Sequence, residues 1–286
     1  MNILDDLKLQ YKLGGIAMRL IYWNIACFLI SLFFYQFSIG QFDFPDWLAL
    51  SSNPDVFMFK PWTFLTYAFF HDGFWHLLFN MMVLNFASTL FLTYFTQKQY
   101  LGLYILSAIF AGLIFALSYY FLHYSASIVG ASAAIMAILV ATTTYQPLMN
   151  IRLLIIGNVK LWHITAVILI LDLMQFRLGN TGGHISHLAG AVFGFIFIKL
   201  LQNGTDLSIV VSSILDFFTN LFRKSPSTPF KKVHKNYNKP TQKPTSKIVT
   251  KDKTQQQIDE ILDKISQSGY DCLTKEEKEF LFKAGK

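Results

Sequence analysis

From Gln99 to Ile151 the chain carries no Asp, Glu, Lys or Arg. A run of that length holds more than twice the roughly 20 apolar residues that cross a bilayer, and it leaves nothing from which to build a charged, soluble surface. The rest of the chain agrees, with 53% hydrophobic, 16% aromatic and only 14% charged residues. Inside lipid every backbone N–H and C=O must be satisfied within the structure, so helices are the simplest solution for such runs. The expectation is an all-α polytopic membrane protein with six spans, at about 16–39, 74–95, 99–121, 128–146, 160–177 and 183–202. The second and third spans nearly abut, which calls for a tight hairpin.

The first apolar block follows Lys8, Lys12 and Arg19 and runs uncharged from Leu20 to Phe42 without a small-residue cleavage site. It reads as a retained span and not as a signal peptide. Cys27 and Cys272 are isolated and supply neither a disulfide framework nor metal-ligand spacing. Loop charges orient the bundle. Lys8, Lys12, Arg19, Lys98, Arg152, Lys160 and Lys199 fall on one side, and Lys60 and Arg177 on the other beside Asp43, Asp46, Asp55 and Asp72. The positive-inside rule then places both termini in the cytoplasm. The external loop 40–73, rich in Phe and Trp with Pro45, Pro54 and Pro61, is expected to include short interfacial pieces.

With this orientation spans two, four and six all enter from the external side, and each carries polar residues in its first turns. These are His76 and Asn80, Ser132, and His187. Ionisable groups inside a span are costly, so they face the bundle interior and find partners there. His76 and Asn80 stand i, i+4 on one helix face. Ser132, preceded by Gly130 and Ala131, heads an apolar helix in dry surroundings, as a nucleophile requires. Gly190-x-x-x-Gly194 lies on the face of His187 and permits close helix approach. The fourth span, with Gly130, Ala131, Ala133, Ala134, Ala137 and Ala141, is its natural neighbour.

The ordered combination His76-x-x-x-Asn80, Gly130-x-Ser132 and His187-x-x-Gly190-x-x-x-Gly194 resembles the rhomboid family of intramembrane serine proteases over roughly residues 16–202. The resemblance implies a six-helix rhomboid-like bundle in which Ser132 is the nucleophile and His187 its general base, with no aspartate completing a triad. It implies an oxyanion hole of His76, Asn80 and the Ser132 N–H, with no cofactor and no metal. A neutral imidazole can take and return the serine proton while fixed donors hold the oxyanion. Two positions depart from the family pattern: Ala133 stands where glycine is frequent, and Met136 where many relatives carry a tyrosine stacked on the histidine. A thioether orients an imidazole less firmly than a ring does. The family's glutamate late in the second helix has no counterpart between Ala87 and Gln97. Outside this constellation, His71 and His184 read as solvated or hydrogen-bonding groups at the membrane edge, and Asp172 as a hydrated residue near the end of span five. His123 and His163 join no cluster.

Beyond the bundle of 1–202, residues 203–222 read as an amphipathic helix on the cytoplasmic leaflet, with Ile209, Val210, Ile214, Leu215, Phe218 and Phe222 apolar. Residues 223–253 hold ten Lys or Arg against one acid, whereas residues 1–222 balance nine against nine. With Pro226, Pro229, Pro240 and Pro244 this linker is expected to be disordered and to meet anionic headgroups; no binding fold supports nucleic acid. Residues 254–286 read as a small cytoplasmic helical hairpin, with a stripe of Ile258, Ile261, Leu262 and Ile265, a stop at Gly269 and a capping box from Thr274 to Glu277. The function expected is cleavage of transmembrane protein substrates, whose helix must unwind at the scissile bond, in what the resemblance implies is a bacterial plasma (inner) membrane. The alternatives are a catalytically silent rhomboid-like protein binding membrane clients, and a metal transporter built on His71, His76, His184 and His187. The transporter reading is weakened by the absence of carboxylates or cysteines near those histidines in the sequence and of an inverted repeat.

Overall fold

The computed structural model describes residues 2–34, 37–38, 41–42, 44–153, 156–176, 179–221 and 253–284. They divide into two units, Met1–Lys224 and Ser225–Lys286. In the first unit, α1 (Ile3–Leu13) and α2 (Gly15–Phe34) lead to a short ladder of β1 (Phe37–Ser38) and β2 (Gln41–Phe42). The loop before α5 contains β3 (Leu50–Ser51), the single turns α3 (Pro54–Phe57) and α4 (Thr63–Thr66), and a 3₁₀ turn at Tyr67–Phe69. Then come α5 (Phe74–Phe91), α6 (Gln97–Leu122), β4 (Ser127–Ile128), α7 (Ser132–Tyr145), the hairpin β5 (Asn150–Leu153) and β6 (Gly157–Lys160), α8 (Leu161–Gln175), α9 (Thr181–Gln202) and α10 (Ser208–Leu221).

Four of these helices, α2, α5, α6 and α9, are long and apolar enough to cross a membrane; α7, α8 and α10 are apolar but shorter. Of the six expected spans, four are helices of that length, and the stretches expected for the fourth and fifth form α7 and α8, of only 14 and 15 residues. The physical reason is that α7 is sheathed by protein. Its Ala134, Ala137, Ile138, Leu139 and Ala141 are all buried, so its ends can pass into strands and turns without presenting irregular backbone to lipid. Phe91, Phe115, Tyr100, Tyr104 and Phe197 complete the core.

α7 and α9 meet almost backbone to backbone. A Cβ on Gly190 would lie 2.1 Å from the Ala133 carbonyl oxygen, and one on Gly194 2.2 Å from that of Ala137. Only glycine permits this approach. The loop before α7 is held from the other side: β3 pairs antiparallel with β4, the Ser52 N–H donates to the Ala126 carbonyl at 2.8 Å, and the Gly130 N–H donates to the Tyr67 carbonyl at 2.9 Å. The loop before α5 thus fixes where α7 begins. α10 keeps Ser208 and Val211 buried while Ile209, Val210, Ile214, Phe217, Phe218 and Leu221 are exposed, an apolar face on the outside of the unit.

In the second unit, α11 (Lys253–Ser268), a 3₁₀ turn at Tyr270–Cys272 and α12 (Lys275–Ala284) surround Ile261 and Leu273. Thr274 and Glu277 make reciprocal capping bonds, and Lys264 donates to Glu277 at 2.8 Å. Leu262 is exposed, because a single partner helix covers only a narrow stripe of α11. Apart from Lys253 the basic linker 223–253 lies outside the described residues, as do Phe222, Arg177 and Asp43.

Candidate active site

Ser132 is the first residue of α7, and no side chain caps that helix. Its own N–H and those of the first turn are therefore open donors at the positive end of the helix dipole. Gly130 has φ +134°, in the region that favours glycine, and a Cβ there would lie 3.0 Å from Cε1 and Nε2 of His76. The glycine lets the chain turn into α7 and lets the His76 ring approach it.

His187, on the second turn of α9, places Nε2 2.6 Å from the Ser132 Oγ. Its Nδ1 lies 2.6 Å from Oδ1 of Asp172. A carboxylate only accepts, so Nδ1 carries the proton and Nε2 is free to accept from the serine hydroxyl. The sequence expectation for Asp172 is corrected at this point. Asp172 is 8% exposed and not hydrated, and it completes a Ser132–His187–Asp172 line that the family resemblance did not include. His184, read from sequence as solvated or hydrogen-bonding, takes the second role: it is buried and its Nδ1 lies 2.8 Å from the same Asp172 oxygen. The expected absence of carboxylates beside the histidines is overturned too, since donor atoms of Asp172, His184 and His187 all lie within 4.8 Å of one another. The sequence did hold a signal: Asp172 is the single charge between Lys160 and Arg177, and a lone acid in an apolar helix needs a partner. His184 and His187, i and i+3 on α9, supply it.

On α5, Nδ1 of His76 bonds to Oδ1 of Asp72, a residue that charge counting had placed simply in the external loop. Asn80 donates from Nδ2 to the His76 carbonyl at 2.8 Å and also lines a cavity of about 280 Å³. Ser132, Met136, Asp172 and His187 share that cavity; Phe79, Val83, Ile168 and Leu171 make it apolar. Its lining comes from α5, α7, α8 and α9. His71, read from sequence as solvated or hydrogen-bonding, is fully buried, with its ring 5.0 Å from that of His76. His123 is the left-handed cap of α6, and His163 lies against Trp162; neither joins the cluster.

This arrangement can deprotonate a hydroxyl in dry surroundings beside open N–H donors, which is the chemistry of acyl transfer. A comparison with curated proteins gave no match. Residues 249–283 match a family of unknown function (DUF6576), a span that takes in most of the second unit. Residues 59–203 match the Rhomboid domain, a stretch that is just over half of the chain and contains every residue of the cluster built around Ser132. The chain is therefore a member of the rhomboid family of membrane proteins.

Proposed function

We propose that this rhomboid-family protein is an intramembrane serine endopeptidase in which Ser132 attacks the scissile carbonyl and His187 acts as general base, then as general acid. The observation that carries the reading is the hydrogen-bonded line from Ser132 Oγ to His187 Nε2 and from His187 Nδ1 to Asp172. Asp172 holds the imidazole in the tautomer that accepts at Nε2 and steadies the imidazolium that follows. His187 then returns the proton to the leaving amine, and water repeats the cycle on the acyl-enzyme. Asn80 Nδ2 and the Ser132 N–H serve the oxyanion, with His76 beside them.

The six-span arrangement belongs to the same proposal. A 14-residue α7 is about 21 Å long, short of the roughly 30 Å hydrocarbon core, so its first residue sits below one surface yet within reach of water. The apolar cavity lined by α5, α7, α8 and α9 gives a transmembrane substrate a route from lipid, and substrates with small or helix-destabilising residues near the boundary unwind into it at lower cost. Loop charges favour cytoplasmic termini in a bacterial inner membrane, with the basic linker on anionic headgroups and residues 254–286 as a helical hairpin.

The test is cleavage of a model transmembrane substrate by the purified full-length protein in detergent. Ser132→Ala and His187→Ala should each abolish cleavage with the bundle still folded, and Asp172→Asn should lower kcat by at least about tenfold with KM little changed. Cleavage that survives Ser132→Ala removes the nucleophile assignment. A folded parent that retains a client helix without cutting it would establish the silent, client-binding alternative.

A further inference from the structure

We propose that Asp172, His184 and His187 form a capture site for a divalent transition metal of the Zn²⁺ type, whose occupation switches the Ser132–His187 pair off. The proposal rests on the catalytic reading above and adds a form of control to the same site. Catalysis as proposed leaves His184 without a task, although it is buried and its Nδ1 converges with that of His187 on one carboxylate oxygen. The two rings stand at 88° with centroids 5.8 Å apart. The other oxygen of Asp172, Oδ2, is buried without a partner among the described residues. Two imidazoles and a carboxylate with a spare oxygen are a donor set that suits zinc, which takes three protein ligands and leaves a fourth position open.

The distances fit a small adjustment. Zinc bonds of about 2.0–2.2 Å separate tetrahedral ligand atoms by roughly 3.4 Å. The two imidazole nitrogens, 2.6 and 2.8 Å from Oδ1, reach that spacing by opening less than about an ångström from it, and donor atoms as far as 4.8 Å apart reach it by closing up to about 1.4 Å around the ion. A metal on Nδ1 of a neutral His187 leaves the ring's proton on Nε2. Nε2 then donates to Ser132 and can no longer accept from it. In each neutral imidazole the Nδ1–H bond breaks, the metal takes the freed Nδ1 lone pair, and a proton returns from water to form the Nε2–H bond; the net charge of the ring is unchanged and nothing is oxidised or reduced. The consequence is an intact site with no base.

The full-length protein in detergent, freed of metal with a chelator, is titrated with Zn²⁺ against a chromophoric chelator and assayed in parallel on the model substrate. One tight site is expected, with cleavage lost as it fills and restored by excess EDTA. Ser132→Ala should bind Zn²⁺ as the parent does, a readout that needs no activity. His184→Asn should keep metal-free cleavage, and the Zn²⁺ needed for half-inhibition should rise by at least the roughly tenfold that loss of even an outer-shell partner costs. His184→Gln is the second variant should the first not fold, and Asp172→Asn should lose the site. Zn²⁺ binding that is absent, or unchanged in folded His184 and Asp172 variants, overturns the metal site and leaves the protease reading standing. A parent that binds Zn²⁺ in this pattern but cuts nothing when metal-free overturns the protease reading and leaves the metal site standing.

Discussion

At the scale of single residues, the oxyanion donors are not equivalent. Nδ1 of His76 must donate to the Asp72 carboxylate, so its Nε2 donates only when the ring carries both protons, whereas Asn80 spends one N–H on the His76 carbonyl and keeps the other whatever the pH. Asn80→Ala is therefore expected to lower turnover by about 10²–10³-fold with little change in KM, and the Asn80/His76 double variant by no less. Unchanged turnover in the double variant would take both out of the mechanism. The candidates His76, Asn80, Ser132 and His187 could be picked out from sequence because polar groups stand out in an apolar helix. Asp172 was misread as hydrated because its burial depends on how α8 packs against α9, which composition does not reveal.

Among elements, the contact of α7 with α9 decides the geometry of the site. Small residues surround most of α7, so sequence could bring the helices together without saying which side of α7 faces α9. The carbonyls of Ala133 and Ala137 under Gly190 and Gly194 settle that rotation. A methyl group at Gly194 meets backbone and not a movable side chain, so Gly194→Ala forces the helices apart. The expected loss is about 1–3 kcal/mol, seen as a lower thermal midpoint in detergent, together with a fall in turnover as Ser132 and His187 separate. A Gly194→Ala protein with the parent's midpoint and rate would mean that the two helices are not held this closely. In the second unit the capping box was readable from Thr274 and Glu277 alone, since caps are local, while the exposure of Leu262 depends on how much of α11 its partner covers.

For the molecule as a whole, His71 ties stability to pH. Burial, with the His76 imidazole close by and only partly opposed by Asp72, pushes its pKa down from the ordinary 6.5 to about 3. Between those values the unfolded chain takes up a proton that the folded chain refuses, so this contribution is complete above pH 6.5 and is lost progressively as pH falls toward 3. The thermal midpoint in detergent should drop between pH 7 and pH 5, and His71→Leu should flatten that part of the slope. An unaltered slope would place the pH dependence elsewhere. The amino-acid sequence by itself determined that this is a helical membrane protein, roughly where its helices run, and which few polar residues stand in them, because apolar length, loop charge and local caps are properties of neighbouring residues. Tertiary structure alone decided that α7 is short and sheathed, that Asp172 stands behind His187, and that His184 shares its carboxylate, because each depends on residues 12 to 15 positions apart or more meeting across helices whose rotation only packing sets.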